Sequence, residues 1–163
     1  MNNSALYIAL EHAVPGFVAA NVVIPGVDER QGIYKELFWL DALLGKDFHC
    51  YVEWKEFDPW ALANMNKLVP IRQAGITLVT DSLYDKHGAP LGELNYYDDG
   101  GFFLPVLQQQ LQTANLQLLE ICTIQNGKPY LQENPRFICT TTDPDKVAQL
   151  QQCLQHKGLV LVG

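Results

Sequence analysis

The chain has 163 residues, 48% of them apolar and 18% charged, with a formal net charge of −7. That length and apolar share build one folded domain, or two very small ones around a shared core, and point to a globular rather than a disordered chain. Eleven Lys and Arg against eighteen Asp and Glu leave no basic stripe for nucleic-acid phosphates or for an anionic membrane surface.

No apolar run approaches the roughly 18 residues of a membrane span. Met1-Asn2-Asn3-Ser4 lacks the positive charge that opens a signal peptide. Cys50, Cys122, Cys139 and Cys153 are widely spaced in apolar surroundings and form no C-x-x-C pair. That is the usage of small core residues in a reducing compartment, so the expected location is cytoplasmic.

Taken in chain order, residues 4–13 read two ways. Ala and Leu favour a helix capped by Ser4, whereas Leu6, Ile8 and Leu10 alternate as in a strand. Pro15-Gly16 ends the segment, FVAANVVIP over 17–25 reads as a strand, and 25–28 as a turn. From Gln31 to Leu44 the sequence predicts an amphipathic helix with Ile33, Leu37, Leu40 and Leu44 as its buried stripe, widened by Phe38 and Trp39 and stopped at Gly45.

Residues 48–81 then read as strand, helix, strand. Asp58-Pro59 opens the helical pattern, because the Asp carboxylate can accept from an orphan first-turn N–H and Pro at N1 loses no hydrogen bond. Pro70 should break that helix near Leu68, Gly75 should end it, and Ile76 to Val79 reads as a strand buried on both faces. A polar loop over 81–90, an alternating strand over 92–97 and a turn at 98–101 come next.

Pro105 to Ala114 reads as a helix with glutamines on its outer face, and Leu116 to Ile124 as a strand. Asn126-Gly127 signals a tight hairpin with Lys128 to Gln132 as the return strand. The 48–81 pattern then recurs over 137–162. FICTTT leads to the Asp143-Pro144 start, a helix with Val147, Leu150 and Leu154 inward and glutamines toward water, then Gly158 and the run LVLV.

The resulting expectation is an α+β fold: a single domain over 1–163 with a mixed sheet of two strand-helix-strand units plus antiparallel hairpins, packed on about four helices. Units 48–81 and 137–162 would be a pseudo-repeat, and each connection is long enough for a parallel pair with a right-handed crossover.

Few residues advertise chemistry. Glu53, Glu56 and Asp58 beside Trp54 sit where a strand runs into a helix, the edge at which open α/β sheets hold ligands. Two such carboxylates could divide acid and base roles if burial separated their pKa values. The plainer assignment gives Asp58 to the cap, Trp54 to the core and both glutamates to water.

Asp81, Asp85 and His87 share a polar loop but match no metal motif. Tyr96, Tyr97, Asp98 and Asp99 combine aromatic area with negative charge, as a surface for a basic partner would, and equally as an ordinary strand end would. His49 and Cys50 are adjacent, so in a strand they point to opposite faces and cannot act as a pair. No nucleophile elbow, phosphate loop or dinucleotide fingerprint is present, and no cofactor is called for.

The first functional reading is therefore an acidic protein-interaction module, of the inhibitor or immunity type, for a basic protein partner. The second is a small hydrolase or transferase working through Glu53, Glu56 or Asp58. The third is a self-associating structural protein that pairs through an edge strand such as Leu116 to Ile124.

Overall fold

The computed structural model describes residues 3–26, 29–52, 60–91, 103–131 and 134–163. Its elements in chain order are α1 (Ser4–Ala13), α2 (Lys35–Phe48), β1 (His49–Tyr51), α3 (Leu62–Met65), α4 (Val69–Gln73), α5 (Leu104–Gln112), β2 (Leu116–Gln125), β3 (Lys128–Tyr130), β4 (Arg136–Thr141), α6 (Pro144–Gln155) and β5 (Leu159–Val162), with short 3-10 turns between some of them. The α+β class expected from the sequence is the class observed.

β2 is the centre of the sheet because it is long and its side chains are buried on both faces. Glu120 faces Phe137 of β4 and also Val162 of β5, so those two strands lie on opposite edges of β2. Thr123 likewise faces Tyr130 of β3 and Leu159 of β5. β3 and β4 therefore share one edge of β2, β5 takes the other, and β1 adds outside β4. Every ladder is antiparallel.

This pairing corrects the mixed sheet expected from two parallel pairs. In the C-terminal unit β4 and β5 run the same way, but β2 lies between them. In the central unit the second strand does not form: β1 pairs with β4 instead, and residues 76–80 carry no ladder. The reason lies in the connecting helix. Pro70 divides it as expected, leaving α3 and α4 with four and five residues, which advance only about 6–8 Å each. The twelve residues of α6 return the chain by about 18 Å, a full strand length.

Residues 76–80 are held by side chains rather than by a neighbouring strand. The Asn66 amide accepts from Leu78 N–H at 2.7 Å and donates to Leu78 C=O at 3.0 Å. Gln110 does the same for Val79, with both bonds at 2.9 Å.

Helices cover both faces of the sheet. α1, α2 and α6 pack on Leu119, Ile121, Ile138, Leu159 and Leu161. α3, α4 and α5 pack on Cys50, Leu116, Leu118, Phe137 and Cys139, together with Leu78 and Leu83. The alternation along β2 and β4 sorts these two sets, since successive strand residues point to opposite faces.

Local signals mostly hold. Asp143 caps α6, accepting from the N–H groups of Asp145 and Lys146, and Gly75 and Gly158 end α4 and α6 at φ +71 and +72. Asn126 and Gly127 both take positive φ in the β2–β3 turn, the backbone that a two-residue hairpin demands. The α2 stripe keeps Leu37, Leu40 and Leu44, while Ile33 is exposed.

Of the two alternatives for residues 4–13 the helix is the one observed, starting at Ser4 with Asn3 rather than Ser4 in the cap position. The strand expected next does not form. Residues 17–25 form a 3-10 turn at Ala19–Asn21 and no strand, with Val23 and Ile24 open to solvent. Without a partner strand in reach, β-branched residues do not make a strand by themselves. Leu116 to Ile124 is also no edge, because both of its sides are occupied at Glu120 and Thr123.

Candidate binding site

Arg136 opens β4, one residue after Pro135, and is one of three arginines in the chain. By alternation it shares the α2 side of the sheet with Ile138, and its cross-strand neighbour is Tyr51. A charged side chain in that layer needs a partner. Asp41 of α2 supplies it: Arg136 Nε donates to Asp41 Oδ2 at 2.5 Å, with the two side chains only 10% and 18% exposed.

The guanidinium is also stacked. Its carbon lies 5.4 Å from the ring centre of Phe38 and 5.1 Å from that of Tyr51, distances at which a ring face attracts a cation. One of its Nη groups donates to the Asn134 carbonyl at 3.3 Å. The helix holds the acid, two strands hold the base and a ring, and the packing of α2 on the sheet joins them.

His49 completes the group. Its Nδ1 lies 2.6 Å from the Gly45 carbonyl, so that nitrogen is the donor, and Nε2 faces Asp41 Oδ1 at 3.7 Å. Asp41 Oδ1 accepts no hydrogen bond among the described residues. Asp41 thus stands between an arginine it binds and a histidine it only faces.

Around Arg136 lies an open cleft of about 360 Å³ walled by Tyr34, Phe38, Tyr51 and Tyr130, with Leu37 and Asn134 beside them. Phe38, Tyr51 and Tyr130 are 37%, 40% and 45% exposed. A ring of aromatics around a nearly buried, ion-paired arginine has the composition of protein-binding hot spots.

The residues singled out from the sequence stand differently. Glu53, Trp54, Glu56, Asp58, Tyr96, Tyr97, Asp98 and Asp99 all lie outside the described residues. Asp85 serves its own loop, its Oδ1 accepting from His87 N–H at 2.8 Å and Ala89 N–H at 2.9 Å. Cys50 points away from His49 into the opposite layer, where its thiol lies 3.7 Å from the Ala61 carbonyl. Burial pushes the thiols of Cys50 and Cys139 up to about 12. Cys122 is also pushed up to about 12, by burial first and then by neighbouring Glu120. A nucleophilic role needs a lowered value.

Sequence reasoning passed over Arg136 and Asp41. The available signal was an arginine directly preceding the apolar run Phe137-Ile138-Cys139, a place where an unpaired cation is costly. Which acid would meet it could not be read from spacing, because Asp41 is 95 residues away. Set against family models, curated proteins and solved structures, the chain matches none.

Proposed function

We propose that the chain is an acidic protein-interaction module, of the inhibitor or immunity type, which binds a basic protein through the aromatic surface around Arg136. The observation that carries this reading is the exposure of Phe38, Tyr51 and Tyr130 beside an arginine already fixed by Asp41. Large rings held on a helix and two strands offer contact area with little side-chain entropy left to lose. Their faces also attract Lys and Arg side chains of a partner. The net charge of −7 would speed encounter with a basic protein and make it sensitive to salt.

The test is affinity capture with the native chain and with a Tyr51→Ala/Tyr130→Ala variant of unchanged helicity and melting point. A basic protein retained by the native chain, released by added salt and not held by the variant supports the reading. Equal retention by both chains, or retention indifferent to salt, refutes it.

A further inference from the structure

A second concavity, of about 480 Å³, runs along the outer edge of β1, between the end of α2 and the α3–α4 pair. Its size is that of a small-molecule pocket rather than a groove for a protein. Lys46, Lys67 and Arg72 line it, with Asn64 between them and Asp47 the carboxylate among its described lining residues. Three of the chain's eleven Lys and Arg residues therefore meet at one hollow of a protein whose net charge is −7.

None of the three forms an ion pair among the described residues. Arg72 is held in place, its Nε donating to the Lys67 carbonyl at 2.9 Å, which leaves both Nη groups to grip an oxyanion end-on. Lys46 follows the break in α2 at Gly45, where φ is 59 and ψ is −175. That break swings the chain toward the edge of β1. His49 contributes only its ring, since its nitrogens face Gly45 and Asp41.

We propose that this pocket binds a small phosphate monoester carrying hydroxyl groups. Arg72 takes two phosphate oxygens, Lys46 and Lys67 neutralise the remaining charge, and Asp47 with Asn64 accepts from the hydroxyls of the ester. Clustered cations that form no ion pair among the described residues favour a dianion, while the Asp47 carboxylate disfavours one lacking donors.

Isothermal titration of the purified chain with glycerol phosphate tests this, with inorganic phosphate, sulfate and chloride at equal ionic strength as comparisons. The ester is expected to bind saturably and more tightly than sulfate. Affinity should fall about tenfold or more in Arg72→Gln and in Lys67→Gln. Lys67→Gln is the safer variant, because no hydrogen bond of its ammonium group contributes to the fold among the described residues. Asp47→Asn should weaken the ester and leave inorganic phosphate unchanged or tighter. Absence of saturable binding at millimolar ester overturns the proposal, as does sulfate binding equally well, or affinity unchanged in folded Lys67→Gln.

Discussion

The side-chain amide of Gln151 closes on the backbone of Leu161, accepting from its N–H at 2.7 Å and donating to its C=O at 2.8 Å. Leu161 pairs with Ile121 on one side, and the amide of α6 occupies the other, where no strand pairs with β5 among the described residues. Gln108 treats Leu118 of β2 in the same way, at 2.6 and 2.9 Å. An open strand edge invites pairing with another chain, and a helix-borne amide closes it. Gln151→Ala should therefore lower stability by about 1–3 kcal/mol and raise the tendency to associate. Urea unfolding and light scattering measure the two effects; an unchanged midpoint with no added scattering would mean that the clamp contributes nothing.

The Arg136–Asp41 pair should respond unequally to single and joint replacement. Asp41→Ala leaves a nearly buried guanidinium without its counter-charge and should cost about 3 kcal/mol. Replacing both, as Asp41→Leu with Arg136→Met, should come within about 1 kcal/mol of the native chain, since desolvation of the ions is removed along with their attraction. A double-mutant cycle from chemical denaturation gives the coupling. Additive single costs would show that the two charges do not act together.

Cys50, Cys122 and Cys139 should be silent toward iodoacetamide in the folded chain at about pH 8, while half-buried Cys153 reacts first. In urea all four should label, as counted by mass spectrometry. The three thiols are pushed from 9.0 up to about 12 on folding. Between those values the unfolded chain has released protons that the folded chain keeps. Stability from these groups is thus complete below 9.0 and declines as pH climbs toward 12. Cys139→Ala should flatten that decline in alkaline denaturation.

Asp143 accepts from Asp145 N–H at 3.0 Å and Lys146 N–H at 3.4 Å. Asp143→Ala should lower stability by about 1 kcal/mol, and Asp143→Asn by much less, because the amide oxygen still caps. Thermal melting of the two variants separates the hydrogen bond from the charge. Equal losses would assign the effect to the helix dipole.

What the sequence determined by itself was local. The Asp-Pro start of α6, the Asn126-Gly127 turn, the break at Pro70 and the inward leucines of α2 follow from backbone sterics and periodicity within a few residues. Those forces act in any context, so they could be read without the fold. The α+β class followed from the same elements.

Tertiary structure decided the rest. Which strands pair depends on what lies across the sheet. Thus Ile76 to Val79, apolar enough for a strand, is held by Asn66 and Gln110, and β2 separates β4 from β5. The glutamines of α5 and α6 read as solvent-facing on periodicity alone, yet Gln108, Gln110 and Gln151 bind backbone because unpaired N–H and C=O groups lie within reach. Arg136 finds Asp41 across 95 residues, and Lys46 meets Lys67 and Arg72 only because α2, α3 and α4 border one strand edge. Long-range electrostatics and hydrogen-bond satisfaction are properties of the packed chain, and they placed both candidate sites.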